Sequence, residues 1–169
     1  MFSVIFPGQG SQSVGMTKEL YDNFAYARDL FKEADDVLGY AISKIILEGP
    51  KEDLDLTKNT QPAIFLASYV IFEMVRKESN INLLDAKYFA GHSLGEYTAL
   101  VCSESLAFND ALFLLFERGT AMQEAVPVGK GSMIAVLGSK IDELNSFVKE
   151  SKTKGVCEIA NDNAEGQTI

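Results

Sequence analysis

Residues 87–103 read K-Y-F-A-G-H-S-L-G-E-Y-T-A-L-V-C-S, and the rest of the chain is organised around this stretch. Residues 88–90 form a short apolar run typical of a β-strand, and residues 94–101 are typical of a helix. The turn between them, residues 91–95, has the pattern G-x-S-x-G. A strand, a tight turn and a helix in this order predict a nucleophile elbow with Ser93 at its tip.

The elbow would give Ser93 the surroundings that a nucleophilic hydroxyl needs. A tight turn strains the backbone of the serine, and Gly91 and Gly95 let the strand and the helix approach closely. The first N–H groups and the dipole of the helix favour negative charge, so they would stabilise an oxyanion formed on attack. An ordinary loop and a simple helix N-cap are the alternatives, but glycines on both sides of the serine favour a nucleophile.

The composition of the chain is that of an ordinary globular protein, and its charge narrows the choice of partners. The 169 residues are enough for a hydrophobic core, and 47% of them are apolar and 23% charged. The net charge of −9 argues against nucleic acid or an anionic membrane as a partner. One local cation could still hold an anionic substrate.

Few residues of the sequence could hold a metal ion or a disulfide framework. Cys102 and Cys157 are far apart and lack a Cys-x-x-Cys pairing, and the chain has a single histidine. We therefore expect no metal site and no bound cofactor. The N-terminus has no basic segment followed by a long apolar one, so we predict no signal peptide, no membrane span and a cytoplasmic protein.

Short apolar strands alternate with helices along the chain, which predicts an α/β fold with a mostly parallel sheet. Predicted helices are residues 17–38, 41–47, 60–75, 109–125 and 141–152; predicted strands are 2–6, 88–90, 132–137 and 156–160, with a turn at 161–166. The polar residues 51–59 are interpreted as a surface connection. Residues 126–131 mark a boundary, so we assign residues 1–126 to a large domain and residues 127–169 to the beginning of a small α+β subdomain.

Two polar positions near helix and strand ends could face a ligand. Residues 7–12 form a glycine-rich loop after the first strand, but Ser13 stands where a dinucleotide fingerprint requires glycine. We interpret the loop as one that brings backbone N–H groups close to a ligand, with a solvated turn as the alternative. Gln61 stands at the start of a predicted core helix, and a structural role is favoured over one in a site.

Arg118 lies on the predicted apolar stripe of the helix that follows the elbow. The stripe comprises Ala111, Leu114, Leu115, Ala121, Met122 and Ala125, so no acidic residue stands three or four positions from the arginine. A guanidinium on such a stripe needs an anion or several carbonyls, because burying it unpaired is costly. A ligand carboxylate would satisfy it, as would a distant acidic residue or a side chain that reaches solvent.

The sequence supplies no evident general base for Ser93. Its single histidine, His92, is adjacent to the serine, and neighbouring side chains on a sharp turn point apart. In enzymes with this elbow the histidine follows the serine. Either the chain is not a serine enzyme, or it is the front part of a longer one, which its ending within an apolar run at residues 167–169 favours.

Several blocks, in order along the chain, resemble the acyltransferase family of fatty-acid and polyketide synthesis, which includes malonyl-CoA:acyl-carrier-protein transacylases. They are residues 6–12 (FPGQGSQ), 60–63 (TQPA), 91–97 (GHSLGEY), and Arg118 with residues 122–127 (MQEAVP). Residues 161–167, with Asn161, Asn163, Gly166 and Gln167, resemble a turn of the family's small subdomain. Together the blocks cover the whole chain.

The resemblance implies a fold, an activity and a set of site residues. The fold would be a large α/β hydrolase-like domain with a small ferredoxin-like subdomain. Ser93 would be the acylated nucleophile, and the backbone N–H groups of Gln9 and Leu94 would form the oxyanion hole. Arg118 would bind the free carboxylate of a malonyl group. That group would pass from malonyl-CoA through a malonyl-serine ester to the phosphopantetheine thiol of acyl carrier protein.

The family's catalytic histidine has no counterpart in these residues. The resemblance therefore implies the N-terminal half of an enzyme, inactive by itself and with apolar surface left uncovered. Because Met1 leads directly into the first strand, the enzyme would be a stand-alone bacterial one of fatty-acid synthesis, monomeric when complete. An α/β serine hydrolase or thioesterase, which would release free acid without a carrier, is one alternative. A non-catalytic fragment that binds acyl-CoA or carrier protein is the other.

Overall fold

The computed structural model describes residues 1–127, 129–152 and 155–169. These residues form two units, Met1–Val126 and Pro127–Ile169. Val128, which belongs to the predicted linker, lies outside the described residues. Each unit has its own sheet, and its strands are parallel in the first unit and antiparallel in the second.

A parallel pair of strands forms the sheet of the first unit. β1 (Ser3–Phe6) pairs with β2 (Tyr88–Gly91), and Phe6 lies opposite Gly91. The long connection between them is helical, as a crossover between parallel strands requires. The pairing confirms the predicted α/β fold. It also brings the loop after β1 and the turn after β2 to the same edge of the sheet.

The helices of the first unit surround the larger of the hydrophobic clusters that its described residues form. They are α1 (Lys18–Asn23), α2 (Ala25–Leu38), α3 (Ile42–Glu48), α4 (Lys51–Leu54), α5 (Thr57–Glu78), α6 (Gly95–Cys102) and α7 (Phe108–Ala125). The sequence of residues 63–75 predicts a core helix, and α5 is buried on most of its faces. It packs along α7, where Phe65 of α5 and Leu115 of α7 are both fully buried.

The single helix predicted over residues 17–38 is wrong, because two helices occupy that stretch. Phe24 is extended, with φ −121° and ψ 124°, and separates α1 from α2. Arg28 donates through Nη1 to the carbonyls of Tyr21 and Asp22, at 2.9 and 3.1 Å. These bonds satisfy the last carbonyls of α1. The apolar periodicity continues across the break, and for this reason the pattern indicates one helix.

Residues 51–59, predicted to be a polar surface connection, are mostly exposed, but they are helical over most of their length. They contain α4 and the first turn of α5, which begins at Thr57. Asn59 is buried because its side chain is satisfied within the protein. Its Nδ2 donates to the carbonyl of Asp53 at 2.8 Å, and its Oδ1 accepts from Tyr40 at 3.0 Å. Asn59 is thus the polar residue of this stretch that internal hydrogen bonds carry into the core.

The second unit combines one helix with short antiparallel strands. β3 (Val136–Leu137), β5 (Gln167–Thr168) and β4 (Asp162–Ala164) lie in that order in the sheet, and α8 is Ile141–Ser151. A strand is predicted over residues 132–137, and its last two residues are confirmed as β3. The strand predicted over residues 156–160 is wrong, because these residues form no strand. Residues 162–164 form the strand instead, because they pair with β5 after the turn at Gly166. Residues 156–160 have the higher strand propensity but form no ladder with β5. The ferredoxin-like assignment stays a prediction.

One face of the first unit's sheet is partly uncovered. An apolar groove of about 290 Å³ lies beside β1, between that strand and α5. Ile5 lines it and is 77% exposed, and Ile71 from α5 is 46% exposed. Parallel strands are usually covered on both faces, so this groove is an unusual surface for such a sheet. Among the described residues, no helix is long and apolar enough to cross a membrane.

Candidate active site

Ser93 lies at the turn between the end of β2 and the start of α6, and its side chain is exposed. Its backbone has φ 54°, in the left-handed region that a non-glycine residue rarely adopts. Two turn bonds hold it: the N–H of Gly95 donates to the carbonyl of His92 at 2.9 Å, and the N–H of Glu96 to that of Ser93 at 3.1 Å. The strained serine at a strand-to-helix turn has the geometry of a nucleophile elbow.

The two glycines of the elbow are needed because backbone segments meet at each of them. A Cβ added to Gly91 would lie 1.9 Å from the carbonyl carbon of Gly95. A Cβ added to Gly95 would lie 2.6 Å from the carbonyl oxygen of Phe6 and 2.7 Å from that of Pro7. Any side chain at either position would therefore push the helix away from the strands.

The loop after β1 lies against the elbow through Gly8 and His92. A Cβ on Gly8 would lie 2.6 Å from Nδ1 of His92 and 2.9 Å from the His92 carbonyl oxygen. The N–H of His92 donates to the carbonyl of Phe6 at 3.2 Å. His92 therefore contributes ring and backbone contacts that hold the loop and the elbow together.

Gln9, predicted to supply one oxyanion donor, is exposed in this loop. Side chains brace the loop on the C-terminal side of Gln9: Gln12 accepts from the N–H of Gly10 through Oε1 and donates to Asp55 through Nε2, each at 2.9 Å. Leu94, the other predicted donor, immediately follows Ser93 and is buried. The structure thus places both residues beside the elbow, and their role as an oxyanion hole stays a prediction.

Arg118 reaches Ser93 from α7. Its Nη2 donates to Oγ of Ser93 at 3.0 Å, and its Nη1 donates to Oε1 of Gln61 at 2.5 Å. The side chain is half-buried, so its charge is partly sheltered from water. Residues that are 25 and 57 positions away in sequence therefore meet at one guanidinium.

The predicted apolar stripe of α7 is partly wrong. The buried residues of this helix are Ala111, Leu112, Leu115 and Gly119, whereas Leu114 and Met122 are each 44% exposed. Arg118 therefore lies at the edge of the buried face and not within it. A helix face that is apolar in sequence need not be covered, since scattered exposed apolar side chains are normal.

Gln61, for which the sequence favours a structural role, lies beside Arg118. It is 1% exposed, and its Nε2 donates to Sδ of Met122 at 3.1 Å while its Oε1 accepts from Arg118. The available signal was an amide at the start of a helix whose following positions are apolar, since a buried polar group must find partners.

Gly119→Ala should destabilise the protein, because Gly119 is the point at which α7 touches the start of α5. The added Cβ would lie 2.7 Å from the carbonyl oxygen of Thr57 and 2.8 Å from Cα of Lys58. Overpacking of this kind costs about 1–3 kcal/mol, and the free energy of unfolding in urea measures it. Ala121→Ser is the control, because Ala121 is exposed on the same helix. It should change the free energy of unfolding by about 0.5 kcal/mol or less. Equal stabilities of the two variants would contradict the tight helix contact.

Cys102 lies on α6 but is not a rival nucleophile. Its side chain is 2% exposed, and burial is the main cause that raises the pKa of the thiol above its ordinary value. A thiol must lose its proton to attack, so a buried neutral Cys102 is inert. Within the described residues, no group of three or more His, Cys, Asp or Glu side chains could hold a metal ion.

Known proteins are similar to this chain over almost its whole length. Residues 3–162 match the model of the acyl transferase domain. The malonyl CoA-acyl carrier protein transacylase of Bacillus subtilis (strain 168) is 44% identical over 166 residues, which cover 98% of this chain and 51% of that protein. The protein of the same name from Haemophilus influenzae is 40% identical, with 99% and 53% covered.

Solved structures give the same result. An acyl-carrier-protein S-malonyltransferase from Burkholderia pseudomallei superposes with a TM-score of 0.86 at 44% identity, and 99% of this chain covers 53% of it. A malonyl-transacylase solved with a type II polyketide synthase acyl-carrier protein gives 0.87 at 38% identity, with the same coverage. The chain spans about half the length of the curated relatives it matches. The match over residues 3–162 shows that the chain belongs to the acyl transferase domain family.

Proposed function

We propose that this chain carries the nucleophile and the acyl-recognition residue of a malonyl-CoA:acyl-carrier-protein transacylase. The observation that supports this function most is the placement of the Arg118 guanidinium, 3.0 Å from Oγ of the strained elbow residue Ser93. A cation beside a nucleophile fits a substrate that carries a carboxylate near its reacting carbonyl. Malonyl-CoA is such a substrate, and proteins similar to this chain are named for its transfer.

The reaction would proceed in two steps through a covalent ester. Oγ of Ser93 attacks the thioester carbonyl of malonyl-CoA, the carbon–sulfur bond breaks and the CoA thiolate leaves. The thiol of a carrier-protein phosphopantetheine then attacks the ester carbonyl and loses its proton, the carbon–oxygen bond to Ser93 breaks, and Oγ takes up a proton to restore the hydroxyl. In each step a tetrahedral oxyanion forms, and the N–H groups of Gln9 and Leu94 would donate to it.

Arg118 would exchange partners when the substrate binds. In the free protein one of its nitrogens donates to Ser93 and another to Gln61. A guanidinium has further N–H donors, so it can pair with both oxygens of a malonyl carboxylate and still keep the bond to Gln61. The attack would then leave the serine oxygen in the ester and the carboxylate on the arginine.

Removal of the Ser93 proton should be the slow step in catalysis by these 169 residues. The single histidine, His92, is adjacent to the serine and contacts the Gly8 loop. General-base catalysis contributes about 10²–10⁴-fold in rate, so transfer by this chain alone should be slower by that factor than with a positioned base.

We expect malonyl-CoA to acylate Ser93 once, slowly and at a single site. Intact-protein mass spectrometry after mixing would detect a malonyl adduct, and peptide mapping would place it on the elbow. Ser93→Ala should give no adduct, whereas Ser103→Ala, at the end of α6, should be acylated like the wild type. Adding carrier protein with its phosphopantetheine should then discharge the adduct onto the carrier. An adduct that Ser93→Ala does not abolish would contradict the proposal.

The same experiment separates transfer from hydrolysis. A serine hydrolase or thioesterase would release free malonate in the absence of carrier protein, and a binding fragment would give no adduct while retaining the thioester. Fast full turnover by the 169-residue chain would show that a residue other than a downstream histidine serves as the base.

The wider setting of the reaction is also part of the proposal. We place it in bacterial fatty-acid synthesis, because proteins similar to this chain in Bacillus subtilis and Haemophilus influenzae carry the transacylase name. Both cysteines are free, which fits the reducing cytoplasm. The complete enzyme would act as a monomer, with carrier protein as its macromolecular partner and no nucleic acid.

A further inference from the structure

We propose that Gln61 is the positioning residue that aims the Arg118 guanidinium, and that its neutral amide is what keeps the arginine selective for a carboxylate. This inference rests on the proposed function, since it concerns how that function distinguishes malonyl from uncharged acyl groups. Gln61 would touch neither substrate nor nucleophile and would act through Arg118.

Both ends of the Gln61 amide are engaged. Its Oε1 accepts from Nη1 of Arg118 at 2.5 Å, and its Nε2 lies 3.1 Å from Sδ of Met122. A guanidinium can only donate, so the oxygen of the amide must face Arg118 and the nitrogen must face Met122. The amide is 1% exposed and cannot turn to solvent instead. It therefore fixes the position of one edge of the guanidinium.

The backbones that carry the two residues are also fixed. Gly119 permits α7 to approach the carbonyl of Thr57 on α5, and Oε1 of Gln123 accepts from the N–H of Thr57 at 3.2 Å. Both contacts are made by residues of α7 that follow Arg118 in sequence. They hold the backbone of α7 against α5, whereas Gln61 contacts the end of the Arg118 side chain itself. Binding a carboxylate then orders less of the arginine, which strengthens binding by pre-organisation.

The neutrality of Gln61 is the second part of the argument. The arginine needs an acceptor to stay in place, and a carboxylate at position 61 would provide one. It would also form an ion pair with Arg118 and compete with the carboxylate of the substrate. An amide oxygen accepts the same hydrogen bond and leaves the positive charge available to a ligand.

Two substitutions at this position separate these effects. Gln61→Leu removes the acceptor, and Gln61→Glu keeps it but adds a charge. The measurement is the rate of Ser93 acylation by malonyl-CoA and by acetyl-CoA, followed by intact mass over a range of thioester concentrations. For Gln61→Leu we expect the malonyl rate at low concentration to fall about 10-fold, as loss of a hydrogen bond to a charged group predicts. For Gln61→Glu we expect a malonyl loss of about 100-fold or more.

Acetyl-CoA distinguishes the positioning role from a merely structural one. A structural defect would lower both acylation rates and leave their ratio unchanged. Acetyl-CoA has no free carboxylate, so its rate should stay within about threefold of wild type in both variants. Gln123→Leu is the matched control, because it removes a glutamine that also bridges α7 and α5 but does not contact Arg118. It should leave the malonyl-to-acetyl ratio unchanged.

The outcomes distinguish this inference from the proposed function. Equal losses on the two thioesters, or a ratio that also changes in Gln123→Leu, would overturn the positioning role alone. If Gln61→Glu prefers malonyl-CoA as strongly as the wild type does, neutrality is not required and the inference also fails. Absence of malonyl acylation in the wild-type protein would overturn the proposed function and this inference with it.

Discussion

Arg118→Ala should lower the rate of Ser93 acylation by malonyl-CoA by orders of magnitude and spare or raise the rate with acetyl-CoA. Removing one partner of a sheltered, bidentate charge pair costs about 2–5 kcal/mol, which corresponds to about 30–5,000-fold in rate. Acetyl has no carboxylate to leave unpaired, and the guanidinium no longer binds Oγ of Ser93 in its ground state. The loss should therefore fall almost entirely on malonyl.

Arg118→Lys refines this expectation. An ammonium retains the positive charge but cannot reproduce the planar fork of the guanidinium, and its stem places the charge differently. Part of the malonyl rate should return, with the acetyl rate near that of wild type. The assay compares rates with both thioesters in the wild type and in the two variants. Arg28→Ala, which removes an exposed arginine that caps α1, serves as the control.

A structural effect of Arg118→Ala must be measured beside the kinetic one. The substitution leaves Oε1 of Gln61 buried without its donor, which costs about 1–3 kcal/mol of stability. Urea unfolding would show this loss, and it would act equally on both substrates. An equal fall in malonyl and acetyl acylation would mean that Arg118 supports the fold and does not read the carboxylate.

The elbow could be predicted from the sequence because its signal is local. A strand, two glycines around a serine and a helix lie within 17 consecutive residues, and each element follows from the neighbours in the chain. The structure places Ser93 at that turn with φ 54°. Arg118 could be singled out because a charge among apolar residues requires an explanation wherever it lies. The contact of Arg118 with Ser93 could not be predicted, because Ser93 lies outside the helix that carries Arg118.

The burial of Gln61 and of Asn59 could not be predicted from the sequence, for a common reason. Whether a polar side chain is buried depends on partners that lie elsewhere in the chain, such as Arg118 for Gln61 and Tyr40 for Asn59. Sequence periodicity reports how one helix is patterned but not which neighbour covers it. The stripe of α7 shows the same effect, since Met122 belongs to the apolar pattern and is nevertheless 44% exposed.

The strands of the second unit show that pairing can override propensity. Residues 156–160 have the composition of a strand, yet residues 162–164, which include Asp162 and Asn163, pair with β5. Short strands receive most of their stability from the partner across the ladder. Their position could be predicted only once the course of the chain through Gly166 was known.

Gly91→Ala adds a single methyl group, and we expect it to destabilise the protein strongly. Its Cβ would lie 1.9 Å from the carbonyl carbon of Gly95, 2.0 Å from the oxygen and 2.4 Å from the N–H nitrogen of Glu96. All three atoms belong to the backbone at the start of α6, so relief requires that the helix move away from β2. We expect a loss of at least about 3 kcal/mol in the free energy of unfolding, together with loss of Ser93 acylation.

Gly10→Ala is the control that separates crowding from backbone strain. Gly10 has φ 108°, which an alanine adopts at a cost, but a Cβ there would have nothing within 4 Å. Its substitution should cost about 1–2 kcal/mol through the left-handed backbone alone. Gly95→Ala, whose Cβ would lie 2.6 Å from the carbonyl oxygen of Phe6, should behave like Gly91→Ala. Urea midpoints and acylation rates of the three variants test this order. If Gly10→Ala were the most harmful, the close approach of strand and helix would not be the main constraint on Gly91 and Gly95.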